Sequence, residues 1–212
     1  MTTTQTHKNS HPGVRYMHAL TLATEAYLSS FSRKEVQASA VQIIMLLNQA
    51  LAIAIENAEL AEAMLEKAVE QAEQLSERGY GGYAQAIGYA VHFNYFISEG
   101  LAEAIVLPEI LKSYGAKAEQ KIASLARQTG IVATDLPDER TARLFISWIE
   151  QQRVLFELPD HIAQMRPQDI PDIIDDTLDA ALHFYPTPVF YDAIDLEQFL
   201  APLLASNKSK ID

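Results

Sequence analysis

GYAQAIGYAVHFNYFISEGLAEAIVLPEILKS, residues 82–113, is the stretch that decides the fold class. Its apolar residues recur at helical spacing, and it has no convincing alternation of apolar and polar side chains. We predict one helix over residues 83–97 and a second over 101–114, with Ser98-Glu99-Gly100 as the interruption between them. Pro108 is expected to kink the second helix, because proline lacks the backbone N–H that a helix interior uses.

The first of these helices carries polar side chains on one face. Gln85, Tyr89 and His92 are spaced four and three residues apart, and Phe96 follows four residues later. Residues three and four apart are neighbours on a helix surface, so all four share one face. Such a face either lines a buried polar pocket or packs at a subunit boundary, and the spacing leaves both interpretations open.

The rest of the chain is also predicted to be helical. Further helices are expected over residues 14–30, 32–57, 59–78, 116–128, 135–156, 168–184 and 195–204. Ser32 and Glu35 have the S-x-x-E spacing of a capping box, and Gly130 stands where a helix C-terminus favours glycine. Only residues 130–134 and 185–191 resemble β-structure, and both segments are short.

These segments predict an all-α fold, a multi-helix bundle of eight to ten helices without internal repeats. We expect the helical domain to span residues 13–205. Residues 1–12 are predicted to be a disordered lead-in, and residues 206–212 a flexible tail.

Composition excludes several classes of function. The formal net charge is −12 and the pI is about 4.9, so we expect binding neither to nucleic acid nor to anionic membranes. The absence of cysteine excludes disulfides, thiolate-bound zinc and thiol catalysis.

We expect no targeting segment in this sequence. The polar N-terminus, MTTTQTHKNSHPG, lacks the apolar region of a signal peptide. The most apolar stretch, residues 41–55, is judged too short and too polar to span a bilayer, and we predict a buried core helix there. A soluble, cytoplasmic protein is therefore expected.

Common catalytic motifs are absent from the sequence. It has no G-x-G-x-x-G after a strand, no G-x-x-x-x-G-K-[ST], no H-E-x-x-H and no G-x-S-x-G. The cluster Gly79-Tyr80-Gly81-Gly82 lacks a preceding strand and a following lysine. We interpret it as a helix–helix turn that needs positive φ.

Two of the six histidines, His18 and His92, lie inside apolar helices. A lone histidine in such a helix is either a hydrogen-bonded core residue or a metal ligand, and the first case is the commoner. The others lie in the polar lead-in or near helix ends: His7, His11, His161 and His183.

Residues 82–113 resemble the signature of the iron-containing alcohol dehydrogenase family. That signature is roughly G-x-x-H-A-x-x-H-x-x-G, a short spacer, and P-H-G-x-x-N-A-x-x-L-P-x-V-L. The positions that agree with it are Gly82, Ala86, Gly100, Ala104, Leu107, Pro108 and Leu111. Residues 18–27 are similar to the family's D-A-L-x-H-A-x-E-A-Y, and residues 181–203 to its closing segment. The resemblance covers nearly the whole chain and implies the C-terminal helical metal-binding domain of this dehydroquinate synthase-like fold.

The resemblance also implies a site for one divalent metal, iron or zinc, held by an aspartate and three histidines. Those four positions are occupied here by His18, Leu22, Gln85 and Glu99, and Tyr89 replaces a further histidine of the pattern. Leucine cannot ligate and a glutamine carbonyl is a weak donor, so no cofactor is expected beyond weakly held zinc or iron. No catalytic residue is assigned. The expected pocket consists of His18, Leu22, Gln85, Tyr89, His92 and Glu99, with His18, Gln85 and Glu99 as weak ligand candidates.

Two of these departures complement each other. His18 occupies the position of the family's aspartate, and Glu99 occupies the position of one of its histidines. If the family backbone is retained, the two side chains face each other across the former metal site. Unpaired buried polar groups cost on the order of several kcal/mol, so we predict a direct or water-bridged contact between them.

Family members also carry an N-terminal α/β domain that binds a nicotinamide cofactor, and we expect no such domain in this polypeptide. Alcohol oxidation by this polypeptide alone would therefore lack a hydride acceptor. The sequence favours a non-catalytic or strongly diverged homologue that acts as a small-molecule-binding or interaction module. Two alternatives stay open: half of a split NAD(P)-dependent alcohol dehydrogenase, or a divergent metal-binding protein. The expected partner is a second copy of the chain or a protein with a nucleotide-binding domain.

Overall fold

The structure is a computed structural model that describes residues 11–133 and 135–204. Nine α-helices lie in this part of the chain: α1 (Pro12–Leu28), α2 (Lys34–Ile53), α3 (Ala58–Glu77), α4 (Tyr83–Tyr95), α5 (Glu99–Tyr114), α6 (Glu119–Gln128), α7 (Asp138–Leu155), α8 (Ile170–Phe184) and α9 (Ala193–Leu200). The described residues form no β-strand, and their one β-type pairing is a bridge between Ile162 and Leu204. The prediction of an all-α bundle of eight to ten helices is confirmed.

The predicted lead-in and tail fall largely outside the described residues. Helix α1 begins at Pro12, and the imidazole of His11 accepts a hydrogen bond from the Gly13 backbone N–H at 3.1 Å. Residues 11 and 12 are therefore continuous with the helical domain. His7 and residues 206–212 lie outside the described part of the chain.

Helix α1 is the centre of the bundle. It packs against α2, α3 and α5, and all of its residues from Gly13 to Leu28 are buried. A helix that is enclosed on every side carries apolar side chains on nearly all of its faces, and most side chains of α1 are apolar. The exceptions bring the imidazole of His18 and the carboxylate of Glu25 into the interior.

Helix α2 contains the most apolar stretch of the chain. It begins at Lys34, earlier than the apolar stretch, and by length and composition alone it is the one helix among the described residues that could cross a membrane. The length argument drawn from residues 41–55 is therefore wrong. One side of α2, including Ile44 and Leu47, packs on α1 and α3, whereas Met45 is exposed. This one-sided burial is the pattern of an amphipathic core helix.

The predicted capping box at the start of α2 does not form. Ser32 donates its backbone N–H to the Ser29 carbonyl in a turn, and its hydroxyl has no partner among the described residues. Arg33 is the N-cap residue, so Ser32 lies one position too early for its hydroxyl to reach the free N–H groups of the helix. A capping box does occur at α9, where Asp192 and Asp195 each accept the other's backbone N–H.

The glycine-based turn predictions are confirmed at two positions. Gly130 follows α6 with φ of 72°, and Gly79 follows α3 with φ of 84°, a region that favours glycine. Residues 185–191, which resembled β-structure, are irregular. Pro108 lies within α5 without ending it, and Glu99, predicted as part of the interruption, is the first residue of that helix.

Helices α4 and α5 pack closely at Gly88. A methyl group at this position would lie 2.8 Å from Glu103 Cγ and 3.4 Å from the Glu99 carbonyl oxygen. Alanine favours a helix by about 1 kcal/mol over glycine, but the overpacking is expected to outweigh that gain. We expect Gly88→Ala to lower the free energy of unfolding in urea by about 1–2 kcal/mol. Unchanged or higher stability would show that Glu103 has room to move.

Candidate functional site

The interior of the bundle holds a buried ion pair between His18 of α1 and Glu103 of α5. His18 Nδ1 lies 2.5 Å from Glu103 Oε2, and the two side chains are 5% and 0% exposed. The second carboxylate oxygen of Glu103 is buried without a hydrogen-bond partner among the described residues. A buried charge is costly unless it is paired, so each of these residues depends on the other.

The carboxylates around His18 set its charge. Burial alone would lower the pKa of His18, but Glu103 opposes this effect, with smaller contributions from Glu73 and Glu99, and the net pKa is raised. The site therefore favours an imidazolium beside a carboxylate. Glu99 acts on His18 as a neighbouring negative charge, and the direct or water-bridged contact expected between the two stays a prediction.

A second buried carboxylate, that of Glu25 on α1, caps the N-terminus of α4. The backbone N–H groups of Ala84 and Gln85 donate to its two oxygens at 2.7 and 3.1 Å. Burial raises the pKa of Glu25 to about 8, and these hydrogen bonds offset only part of that effect. Glycine is needed at position 82, because a Cβ on Gly82 would lie 2.5 Å from Glu25 Oε1.

Gln85 lies at the start of α4, beside these carboxylates. Its Nε2 donates to the Ser76 hydroxyl at 2.5 Å, and its carbonyl oxygen is buried without a partner among the described residues. Gly81 has no room for a Cβ between that oxygen and the ring of Tyr185. The amide of Gln85 is thus held to α3 by its hydrogen bond to Ser76.

Tyr185 connects the buried carboxylates with a surface cleft. Its ring lines the cleft together with Tyr89. Burial and the negative charges of Glu25, Glu103 and Glu99 raise the pKa of Tyr185 to about 12. The phenol is therefore neutral at physiological pH and stands between an acidic interior and solvent.

The structure places the predicted pocket residues in three environments. His18 and Leu22 are buried on α1. Tyr89 is 55% exposed and faces the surface cleft. His92 lies within 2.6 Å of the Ile97 carbonyl through its Nδ1, at the end of α4. The polar face predicted from residue spacing is therefore divided between the interior, the surface and a helix end.

Two residues of the site, Glu103 and Glu25, were not predicted from the sequence. Glu103 is the lone charged side chain in the apolar run 101–108, and Glu25 stands in the last turn of the buried helix α1. Glutamate is almost never fully buried without a partner, so an acidic residue inside an apolar helix predicts one. That pattern was available for both residues, and Glu103 also follows Glu99 by one helical turn.

The sequence model of the Fe-containing alcohol dehydrogenase family, C-terminal, matches residues 15–195. The chain belongs to the iron-containing alcohol dehydrogenase family. No curated protein was found to match it in sequence.

Solved structures share the fold of this iron-containing alcohol dehydrogenase domain. A 1,3-propanediol oxidoreductase superposes with a TM-score of 0.76 and 22% identity, covering 89% of this chain and 50% of that one. The alcohol dehydrogenase from Oenococcus oeni has a TM-score of 0.77 and 22% identity, with 91% and 51% covered. The iron-containing alcohol dehydrogenase from Thermococcus thioreducens has a TM-score of 0.77 and 17% identity, with 92% and 52% covered. The chain thus spans about half the length of these structures.

The donor set does not fit the metal that the iron-containing alcohol dehydrogenase family implies. Within residues 11–133 and 135–204, no three His, Asp or Glu side chains are grouped so that they could hold an ion. His18 Nδ1 and Glu103 Oε2 are 2.5 Å apart. Two ligands of one zinc ion, each about 2.0–2.2 Å from it, stand roughly 3 Å or more apart. Leu22 offers no donor, so these residues do not form the metal site of the family.

Proposed function

We propose that this chain is a non-catalytic, diverged member of the iron-containing alcohol dehydrogenase family that acts as a cytoplasmic small-molecule-binding or interaction module. The observation that carries the proposal is the ion pair between His18 and Glu103. By the sequence resemblance, His18 aligns with a metal-ligand position of the family, and its Nδ1 is engaged by the Glu103 carboxylate.

Metal-assisted alcohol oxidation needs a cation that polarises the alcohol oxygen and a nicotinamide that accepts the hydride. Two further polar residues of the interior serve partners of their own, since Glu25 caps α4 and Gln85 binds Ser76. Leu22 supplies an aliphatic side chain where the family pattern has a histidine. The residues thus support the structure of the bundle rather than an open coordination position.

A second candidate is half of a split NAD(P)-dependent alcohol dehydrogenase. The observation that favours it is an exposed aromatic row at the C-terminal end of α4, where Tyr89, Phe93 and the C-cap residue Phe96 are 55%, 70% and 91% exposed. The solved relatives are about twice as long as this chain, and this row could contact a separate nucleotide-binding protein. A second copy of the chain could cover the same row, which would make a homodimer.

The proposed function predicts a purified chain without stoichiometric metal and without dehydrogenase activity. We expect elemental analysis to give iron and zinc well below one equivalent after purification in buffer supplemented with both metals. Assays with NAD and NADP over a panel of primary alcohols and aldehydes are expected to give no turnover. One equivalent of bound zinc or iron would overturn the proposal in favour of a divergent metal-binding protein.

Two controls sharpen this test. The variant His18→Asp, Leu22→His, Gln85→His, Glu99→His restores the family's ligand types at the matching positions, and it is expected to gain zinc that the natural chain lacks. Sedimentation velocity of the natural chain separates monomer from homodimer.

NAD(P)-dependent alcohol activity that co-elutes with the chain from a native lysate would favour the split enzyme.

A further inference from the structure

A surface cleft of about 450 Å³ lies between α4 and α8 and is not explained by the proposed loss of metal chemistry. Its volume falls within the roughly 300–1,000 Å³ typical of small-molecule sites. The residues that give it chemical character are Tyr89, Phe93, Asp176, Asp179, Phe184 and Tyr185.

Aromatic rings form the walls of this cleft. Phe93 and Phe184 are 70% and 66% exposed, and Tyr89 is more than half exposed. Large rings left in water are unfavourable, and these three line the cleft together with the half-buried ring of Tyr185. Each ring offers an electron-rich face. Such faces attract a cation that stands within about 6 Å of the ring centre.

The charged residues of the cleft also favour a cation as the ligand. No lysine or arginine lines it, and Asp176 has no ion-pair partner in the described part of the chain. Asp179 pairs with His183 at 3.1 Å, and both side chains are exposed. Behind the cleft, Glu99 is a further negative charge that acts on Tyr185, whereas Glu25 is protonated at neutral pH and Glu103 is paired with His18.

We propose that this cleft binds a small organic cation with an alkylammonium head group, held between the aromatic rings and beside Asp176. This inference rests on the proposed function as a small-molecule-binding module, because it specifies the class of ligand that the module binds. The rings supply cation–π attraction, and the carboxylate neutralises the charge. A neutral molecule of the same shape gains only the apolar contact, and an anion is repelled.

Choline and 3,3-dimethylbutan-1-ol test the proposal, because they have the same shape and differ in charge. In isothermal titration calorimetry of the full chain at low ionic strength, choline is expected to bind at least about tenfold more tightly than the neutral alcohol. Equal binding of the two would overturn the proposal and indicate a plain apolar groove. No heat with choline at tens of millimolar would overturn it as well.

Matched variants locate the binding. Phe93→Leu and Asp176→Asn are each expected to weaken choline binding at least about fivefold. Phe31→Leu, at a 75% exposed phenylalanine outside the cleft, and Asp175→Asn, next to Asp176 on the same helix, are expected to leave it unchanged. Equal weakening by the control variants would indicate attraction to the net negative charge alone and would overturn the proposed site.

The two proposals fail in different experiments. If the chain is metal-free and inactive and does not bind choline, the proposed ligand class is wrong and the proposed non-catalytic role is unaffected. If the chain holds stoichiometric metal and has dehydrogenase activity, the proposed non-catalytic role is wrong. The choline titration then still decides whether the cleft binds an organic cation.

Discussion

Glu103→Met is expected to lower the free energy of unfolding by about 3–5 kcal/mol, because it leaves the buried His18 without its carboxylate. Methionine has a similar length and fills the space of the glutamate side chain, so the loss is electrostatic rather than a cavity effect. Urea unfolding at pH 6 measures the change, since the pair is charged there. His18→Leu is expected to cost a comparable amount, because it leaves Glu103 unpaired.

The double variant His18→Leu, Glu103→Met is expected to recover most of that loss. Replacing both members of a buried ion pair with apolar residues of similar size is often neutral or stabilising by about 1–4 kcal/mol. The double-mutant cycle therefore predicts a large coupling energy, since the residues are in direct contact.

An exposed ion pair supplies the matched control. Lys112 Nζ lies 2.7 Å from Glu150 Oε1, and the two side chains are 45% and 33% exposed. Glu150→Gln is expected to cost less than about 1 kcal/mol, because water screens the pair. A loss of similar size for Glu103→Met would mean that water also reaches His18, and the interpretation of a sealed ion pair would be wrong.

The sequence predicts the helices well because their pattern is local. The spacing of apolar residues places α4 and α5 within two residues of their observed ends, and glycine at positions 79 and 130 marks two helix ends. The capping box at Ser32 was wrong because a one-residue shift of the N-cap removes it, and no local pattern fixes that shift.

The partner of His18 could not be fixed from the sequence. Glu99 and Glu103 lie one turn apart on the same face of α5, so both are candidates for contact with α1. The choice depends on how closely the helices approach, and a Cβ on Gly100 would already stand 3.0 Å from His18 Cβ. That close approach is a property of packing between residues far apart in the chain. The capping of α4 by Glu25 has the same origin, since 59 residues separate Glu25 from Ala84.

Raising the pH from about 5 to 8 is expected to lower the free energy of unfolding by about 3–4 kcal/mol through Glu25 alone. Its pKa is about 8 in the folded protein and 4.5 as the ordinary value. Between these values the folded state holds a proton that the unfolded state has released, so stability falls as the pH rises through this interval. The raised pKa of His18 acts in the same direction, because its contribution is complete below pH 6.5 and is lost as the pH rises through the folded value.

Glu25→Gln tests this assignment, since glutamine does not titrate. Its amide oxygen accepts the N–H of Ala84, but its NH₂ group faces the N–H of Gln85, so we expect a cost of about 1–2 kcal/mol at pH 5. The variant should then lose much less stability than the natural chain between pH 5 and 8, whereas Asp175→Asn, at an exposed carboxylate, should keep the natural slope. Stability that rises over this interval in the natural chain would mean that the N-terminus of α4 stabilises the Glu25 carboxylate more strongly than burial opposes it. The capping carboxylate would then be ionised at neutral pH, and the interior behind Tyr185 would be more negative than the raised pKa of Glu25 implies.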